Sequence, residues 1–301
     1  MRKIILLVLI GLIPVTAGCG SETGAEGSTT ITVSGKNWTE QILLVHLMGQ
    51  VLENETDHEI DLREGLGSSD VLIQALQDGD IDLYADYSGT GKVNILGQEI
   101  TSEDTRESVL EEGRKGYEEE FGATWLDPLG FQNTWTLIVR EETAEQLDIE
   151  TFSDLEDHAG DLVLGSDAQF AERSDGLPGL QEEYSGLQFQ DRVEMDIGLA
   201  YDSLAEEEID VLVGYGTDGR IPALNFVTLE DDKEYFPPYD AVPIMRADFV
   251  EEHPEVEEAL QVLADGISEQ EMAEMNTRVD MEDEQPSAVA EEFLKEKGFI
   301  E

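Results

Sequence analysis

A strand, a short loop and a helix follow one another in residues 31–51, ITVSGKNWTEQILLVHLMGQV. Three β-branched residues open the stretch and favour a strand, and Thr39 with Glu40 provides the polar start that is typical of a helix. The apolar residues that follow recur at helical spacing, at Ile42, Leu43, Val45, Leu47 and Val51. The stretch therefore predicts the first strand–helix unit of an α/β fold.

The same alternation continues along the chain. It comprises a predicted strand at residues 60–62, a helix at 71–78 and a strand at 81–84. Ser69 and Asp70 provide the start of that helix, and Gly79 provides its end. Because strands and helices alternate, we expect an α/β fold with largely parallel strand pairing.

A second series of strands and helices begins after residue 131. It comprises strands at 134–139, 162–164 and 211–213 and helices at 152–158, 177–184 and 199–207, followed by a strand at 241–245 and helices between 254 and 297. The two series predict two lobes: lobe I from residues 31–131 plus 219–301, and lobe II from residues 132–218. Ligands of such folds bind at the carboxyl ends of strands, so the expected binding site is the cleft between the lobes.

The chain opens with the pattern of an export signal and a tether. Two basic residues precede an apolar run at residues 4–13, and residues 1–18 are predicted to be a signal peptide. The signal ends in a sequence that resembles a lipobox, with Thr16 where leucine is usual, so Cys19 is the predicted site of lipid attachment. A plain signal peptide with an incidental cysteine is the alternative. Residues 19–30 predict a flexible tether, and the expected location is the outer face of the cytoplasmic membrane.

Acidic residues outnumber basic residues by 70 to 17, which gives a formal net charge of -53. Such a surface repels nucleic-acid phosphates and anionic lipid, so neither is an expected partner. Repulsion of this size destabilises a folded chain unless salt screens it, and at ~1 M salt the Debye length is only ~3 Å. Hydrophobic residues make up 40% of the chain and recur periodically, which argues against disorder. The composition therefore predicts a folded protein that works in strong brine.

Motifs of enzymes and metal sites are missing from the sequence. It contains no phosphate-binding loop, dinucleotide fingerprint, G-x-S-x-G elbow or H-E-x-x-H pair, so we do not expect an enzyme. Cys19 is the only cysteine, which excludes an intramolecular disulfide. The four histidines, His46, His58, His158 and His253, lack the spacing of metal ligands. Neither a metal ion nor a cofactor is predicted.

Aromatic residues stand at or near the ends of predicted strands. Tyr87 precedes Ser-Gly-Thr-Gly, Tyr215 precedes Gly-Thr-Asp-Gly, and Trp135 lies within a strand. Turns at strand ends expose side chains to a cleft, so these residues are candidates for ligand contact, with core packing as the alternative. Lys36 and Arg173 are further candidates because basic residues are rare in this chain. For both of them the alternative is an ordinary surface salt bridge.

Six longer stretches carry a resemblance to a known family. They are residues 34–41 (SGKNWTEQ), 80–90 (DIDLYADYSGT), 125–131 (WLDPLGF), 170–178 (FAERSDGLP), 217–220 (TDGR) and 229–233 (LEDDK). In this order they resemble the substrate-binding proteins of osmoprotectant ABC importers, the glycine betaine, choline and carnitine binders of the ProX and OpuC type. The resemblance spans residues 31–300 and implies a two-lobed periplasmic-binding-protein fold of type II, with the ligand in the inter-lobe cleft.

The resemblance also implies roles for individual residues. The implied box of aromatic rings around a trimethylammonium group comprises Tyr87, Trp135, Tyr201 and Tyr215, with Asn133 completing it. The implied contacts of the ligand carboxylate are Lys36, Thr90 and Arg173, and Gln41 is a further candidate for the cleft wall. Trp135 departs from the tyrosine that the family more often has. The chemistry is consistent, because a trimethylammonium group has no N–H and suits ring faces, whereas a carboxylate suits cationic donors.

By this resemblance the chain is expected to be the extracytoplasmic substrate-binding subunit of an ABC importer. The expected partners are the permease and ATPase subunits, a small quaternary-ammonium ligand and, through Cys19, a membrane; we expect a monomer. Glycine betaine is the favoured ligand, with carnitine, proline betaine and choline as alternatives. Two other functions stay open: binding of another zwitterion such as an amino acid, and a sensory subunit that works without a transporter.

Overall fold

A computed structural model of the chain describes residues 29–99 and 104–301. The predicted signal peptide, Cys19 and the tether up to residue 28 lie outside these residues. Among the described helices, none combines the length and apolarity that crossing a membrane requires.

Ten strands form two sheets in the described part of the chain. The strands are β1 (Thr30–Ser34), β2 (Glu59–Arg63), β3 (Leu83–Tyr87), β4 (Ala123–Trp125), β5 (Trp135–Arg140), β6 (Val163–Ser166), β7 (Asp191–Glu194), β8 (Val211–Tyr215), β9 (Phe226–Thr228) and β10 (Ala241–Arg246). The first sheet has the order β2-β1-β3-β10-β4, and the second has the order β7-β6-β8-β5-β9. Each sheet is the centre of one lobe, so the predicted two-lobed α/β fold is confirmed.

Helices cover the two sheets. They are α1 (Thr39–Glu55), α2 (Ser69–Asp78), α3 (Ser88–Thr90), α4 (Arg106–Phe121), α5 (Glu141–Leu147), α6 (Phe152–Leu155), α7 (Ala168–Glu172), α8 (Leu177–Glu183), α9 (Ile197–Ala205), α10 (Arg220–Ala223), α11 (Ala247–Glu252), α12 (Pro254–Leu260), α13 (Glu269–Asp280) and α14 (Pro286–Lys297). The apolar residues that predicted α1 are buried, including Leu43, Leu47 and Val51. α2 ends at Gly79 as predicted, because glycine adopts the left-handed conformation found there (φ 75°) at little cost.

Strand direction differs from the prediction. β1 pairs in parallel with β2 and β3, and β6 pairs in parallel with β7 and β8. In contrast, β10 and β5 run antiparallel to both of their neighbours. These two strands are the ones by which the chain enters a sheet after crossing from the other lobe. The expected parallel pairing therefore holds only for the strands that helices connect within one lobe.

The chain crosses between the lobes twice, and the two crossings lie side by side. The first crossing joins β4 to β5, where the sequence predicted it, and the second joins β9 to β10. Gln132 in the first crossing forms an antiparallel bridge with Asp240 in the second. The predicted return to lobe I at residue 219 is too early, because β9 pairs with β5 and belongs to the second sheet.

Candidate ligand-binding site

A narrow cleft lies between the two lobes. It is lined by Lys36, Trp38, Tyr87, Thr90, Asn133, Trp135, Gln169, Arg173, Tyr215 and Tyr239. Tyr87 and Tyr215 end β3 and β8, and Lys36 follows the end of β1 by two residues. Trp135 begins β5 but lies at the same edge, because its antiparallel register places it opposite Tyr215. The cleft therefore lies at the carboxyl ends of the parallel strands, as expected.

Most of the predicted ligand-binding residues come together in this cleft. Lys36, Tyr87, Thr90, Asn133, Trp135, Arg173 and Tyr215 all line it. Gln41 lies one layer behind, fully buried, where its Nε2 donates a hydrogen bond to Tyr87 Oη at 3.1 Å. Its Oε1 accepts a hydrogen bond from the backbone N–H of Lys36 at 3.3 Å. Gln41 therefore positions two cleft residues and does not form the cleft wall.

Tyr201 is the predicted box residue that the structure places elsewhere. It is completely buried in the core of the second lobe, on the face of α9 that also buries Ala200 and Leu204. The Tyr201 ring is stacked on Phe226, with ring centroids 6.5 Å apart. The guanidinium carbon of Arg220 lies over the Tyr201 ring, 4.0 Å from its centroid. Tyr201 faces the sheet and not the cleft, so the structure corrects the prediction that it belongs to the aromatic box.

Two other aromatic residues that sequence reasoning missed complete the rings of the cleft. Trp38 stacks on Tyr215, with ring centroids 5.6 Å apart and an interplanar angle of 13°. Tyr239, which lies at the second crossing, packs against Trp135 with a centroid distance of 5.8 Å. Signals for both were present: Trp38 lies two residues after Lys36, and Tyr239 follows two prolines and lies two residues before the start of a strand. Gln169 was also missed, and nothing in its sequence context distinguishes it.

Both basic residues of the cleft have their own buried carboxylate partner. Lys36 Nζ lies 2.6 Å from Asp86 Oδ1. Arg173 pairs with Asp175 through two contacts, one of them from Nε to Oδ1 at 2.8 Å and the other from Nη2 to Oδ2. Asp175 Oδ2 also accepts a hydrogen bond from Tyr239 Oη at 2.9 Å. The cleft thus contains two neutralised ion pairs, and the alternative of an ordinary surface salt bridge is wrong because both pairs are buried.

Burial acts differently on the two cations. It lowers the pKa of Lys36, although the Asp86 carboxylate opposes this effect. Burial would also lower the pKa of Arg173, but the hydrogen bonds and the charge of Asp175 outweigh it, and the net pKa is raised.

The ring faces carry the protein's own cations. The Arg173 guanidinium carbon lies 4.6 Å from the ring centroid of Trp135. Lys36 Nζ lies 5.2 Å from the ring centroids of both Trp38 and Tyr87. These distances are within the range of cation–π attraction, which is about 6 Å. The rings of the cleft are therefore arranged to accept positive charge.

A buried carboxylate, Glu40, lies behind the rings and joins the lobes. Its Oε1 accepts hydrogen bonds from Tyr87 Oη at 2.5 Å and from Asn133 Nδ2 at 2.7 Å. Its Oε2 accepts one from Thr217 Oγ1 at 2.5 Å and a longer one from Asn276 Nδ2 at 3.4 Å. Burial raises the pKa of Glu40, and these hydrogen bonds partly oppose that effect. Thr217 follows β8, so Glu40 links the first lobe to the second.

Two α/β lobes, two adjacent crossings and a cleft between the lobes define a two-lobed substrate-binding protein of the periplasmic type II class. Residues 29–296 match the family described as the substrate binding domain of ABC-type glycine betaine transport systems, OpuAC, and the chain belongs to this family. Proteins of this family work outside the cytoplasm and deliver substrate to the permease and ATPase subunits of an importer.

Individual relatives and solved structures resemble the chain over most of its length. The carnitine transport binding protein OpuCC of Listeria monocytogenes is 35% identical over 280 residues, which cover 92% of this chain and 90% of the relative. The chemotactic signal transduction system substrate-binding protein CosB of Halobacterium salinarum is 26% identical over 290 residues, which cover 90% and 85%. A crystal structure of a glycine betaine/carnitine/choline ABC transporter protein superposes with a TM-score of 0.76 at 34% identity, covering 90% of this chain and 100% of that one.

Proposed function

We propose that this substrate-binding protein captures a quaternary-ammonium compatible solute for an osmoprotectant ABC importer, and that glycine betaine is its preferred ligand. The observation that carries the proposal is that a single cleft combines aromatic ring faces with the N–H and O–H donors of Lys36, Thr90 and Arg173. Glycine betaine has the matching halves, a trimethylammonium group and a carboxylate.

The rings are the proposed site of the trimethylammonium group. Its charge is spread over methyl groups that cannot hydrogen-bond, so contact with ring faces is its main favourable interaction. Each ring contributes about 0.5–2 kcal/mol. Tyr87, Trp135, Tyr215 and Tyr239 all line the cleft, and Trp38 extends the ring surface through its stack on Tyr215. The larger indole of Trp135 keeps the ring face that a tyrosine would offer at that position.

Lys36, Thr90 and Arg173 are the proposed site of the carboxylate. Lys36 has three N–H donors and Arg173 has five, so each retains donors beyond those that hold Asp86 and Asp175. Because both cations are already paired, a ligand without a carboxylate does not leave them unpaired. The preference for a carboxylate therefore comes from charge-assisted hydrogen bonds and is smaller than two free cations would produce.

Ligand binding at Trp135 requires Arg173 to move. The guanidinium covers the ring face of Trp135, and two cations cannot share that face. Arg173 also contacts Thr90 of the opposite lobe, with Nη1 3.4 Å from Oγ1. We therefore propose an exchange in which the ligand cation takes the ring face and the guanidinium turns towards the ligand carboxylate.

Several finer features belong to the same proposal. Carnitine and choline, which appear in the names of relatives, are alternative ligands, as is proline betaine. We propose a monomer that is anchored through a lipid on Cys19 at the outer face of the cytoplasmic membrane, without enzymatic activity and without a cofactor.

A second candidate function is a sensory subunit that reports the solute to a signalling system, and the likeness to CosB over 90% of this chain favours it.

Calorimetric titration in about 2 M KCl, where surface repulsion is screened, tests the ligand. Glycine betaine, carnitine, proline betaine and choline are compared, and glycine serves as the matched ligand that keeps the carboxylate but lacks the methyl groups. We expect glycine betaine to bind most tightly and glycine not to bind. Choline binding tenfold or more tightly than glycine betaine would overturn the carboxylate contacts, and strong glycine binding would overturn the aromatic box.

A variant sharpens the same experiment. Asp175→Asn keeps the shape of the side chain but leaves the Arg173 charge without its partner, so it should increase the preference for glycine betaine over choline. Asp61→Asn is the matched control, because Asp61 pairs with Arg63 on the surface, where both side chains are about half exposed. An equal change of preference in both variants would show that Arg173 does not contact the ligand carboxylate.

A further inference from the structure

Two of the four histidines meet a glutamate far from the ligand cleft. His58 precedes β2, while His253 and Glu255 lie at the start of α12, almost 200 positions later in the chain. One nitrogen of each imidazole and one carboxylate oxygen of Glu255 all lie within 4.8 Å of one another. No sequence pattern indicated this cluster, because the spacing of the three residues along the chain does not resemble that of metal ligands.

The three ligand atoms of the cluster are close enough together to converge on one metal ion. Glu255 Oε1 lies 2.9 Å from His58 Nε2 and 3.2 Å from His253 Nδ1. Ligand atoms held ~2.1 Å from a tetrahedral metal are about 3.4 Å apart. The two contacts of Glu255 are a few tenths of an ångström shorter than this, and the two imidazole nitrogens lie within 4.8 Å of each other, so all three side chains adjust when an ion enters.

We propose that His58, His253 and Glu255 form a binding site for a divalent transition-metal ion of the Zn²⁺ class, with water completing the coordination. Two imidazoles and one carboxylate are a ligand set that Zn²⁺ accepts, and imidazole nitrogen selects against Ca²⁺ and Mg²⁺, which prefer oxygen. The side chains are 10%, 23% and 48% exposed in that order, so solvent reaches the ion through the Glu255 side.

Metal binding at His58 requires one existing hydrogen bond to be broken. The backbone N–H of Thr29 donates a hydrogen bond to His58 Nδ1 at 3.3 Å, which places the ring proton on Nε2. A metal on Nε2 moves that proton to Nδ1, so the contact with Thr29 must be lost. Glu255 needs no such change, because the hydrogen bond from His58 lowers the pKa of its carboxyl.

The position of the site determines what the metal can do. His58 lies at the amino end of β2, whereas the ligand cleft lies at the carboxyl ends of β1 and β3. The ion would connect the loop before β2 to the start of α12 and so join two distant parts of lobe I. We therefore expect metal binding to raise the stability of the protein and to leave its affinity for the quaternary-ammonium ligand unchanged.

Metal titration of the full chain tests the site. Zn²⁺ affinity is measured in high salt with a large excess of Ca²⁺, which occupies ordinary carboxylate sites, and Co²⁺ absorption reports nitrogen ligands and tetrahedral geometry. His58→Gln and His253→Gln should each weaken Zn²⁺ binding at least tenfold and abolish the rise in melting temperature on adding Zn²⁺. The matched control is His46→Gln, because His46 Nε2 contacts a carboxylate, Glu64 Oε1, at 2.7 Å without a second imidazole.

The outcomes separate a built site from general attraction to an acidic surface. Wild-type binding in His46→Gln combined with weak binding in the two cluster variants supports the proposal. Equal binding in all three variants, or displacement of Zn²⁺ by Ca²⁺, overturns it. If His58→Gln fails to fold because it also loses the contact with Thr29, Glu255→Gln provides the same test from the exposed side of the cluster.

Discussion

The outer surface of this protein and its inter-lobe cleft handle charge in opposite ways. The chain has 70 acidic and 17 basic residues, and acidic runs such as Glu118 to Glu120 are exposed on α4. In the cleft, Lys36 and Arg173 are each held by one buried carboxylate. The net charge of the chain therefore describes its relation to solvent, whereas the ligand site is built from local pairs that are close to neutral.

The largest expected effect concerns the surface. Because molar salt screens the repulsion among exposed carboxylates, the melting temperature should rise on the order of 10 °C or more between low salt and ~2 M KCl. Thermal melts over a KCl series measure it. A melting temperature that stays flat or falls with salt would refute the interpretation that the charge is an adaptation to brine.

The next largest effect concerns the rings of the cleft. Trp135→Ala and Tyr215→Ala each remove a ring face and its apolar contact, so affinity for glycine betaine should fall roughly 10- to 100-fold. Calorimetry measures the loss. Tyr201→Ala is the control, because Tyr201 is buried in the core: it should lower the free energy of unfolding by about 3–5 kcal/mol and change affinity little. A loss of affinity in Tyr201→Ala equal to that in Tyr215→Ala would return Tyr201 to the aromatic box.

A smaller effect is expected at Glu40, the buried acid that lies behind the rings of the cleft and joins the two lobes. Glu40→Gln replaces an acceptor oxygen by an N–H₂ group that faces existing donors, and one unsatisfied buried donor costs about 1–3 kcal/mol. Because these donors include Tyr87 and Thr217 of opposite lobes, affinity should fall about tenfold. Glu53→Gln on the exposed side of α1 is the control and should change nothing. Equal affinities of the two variants would show that Glu40 plays no part in holding the lobes together.

The smallest effect is expected for the salt dependence of binding. Contacts at van der Waals distance inside a closed cleft lie within any Debye length, so affinity should change less than about threefold between 1 and 3 M KCl. The calorimetric titration repeated over that range measures it. An affinity that collapses at high salt would mean that the cleft is wet and that its ion pairs are exposed when the ligand binds.

Sequence patterns predicted most of the elements, and the errors have physical causes. β3 was expected at residues 81–84 but covers Leu83–Tyr87, because every residue of the strand is buried and no alternation marks its bounds. β4, β7 and β9 contain three or four residues, too few for a periodic signal. The chain returns to lobe I later than predicted because β9 still pairs with β5 in the second sheet, and no sequence pattern reveals this pairing.

The site was predictable where a residue adjoins a strand end and not where it depends on packing. Lys36, Tyr87 and Tyr215 follow or end strands, so their position in the cleft follows from topology. Topology does not predict that Tyr239 reaches the cleft and Tyr201 does not. The face that α9 turns towards the sheet decides the position of Tyr201, and the path of the second crossing decides that of Tyr239. Glu40 had no distinguishing signal among 70 acidic residues; only the four donors around it identify it.

The bridge between Gln132 and Asp240 has a consequence for chain connectivity. Since the second lobe leaves and rejoins the first at neighbouring points, it is topologically an insertion, closed at its base like a hairpin. The rest of lobe I would keep its pairing of β3 with β10 if the insertion were exchanged for that of a relative. Trp135, Arg173 and Tyr215 would travel with the insertion, whereas Lys36, Tyr87 and Thr90 would stay, so the exchange would replace one half of the cleft lining as a single contiguous segment.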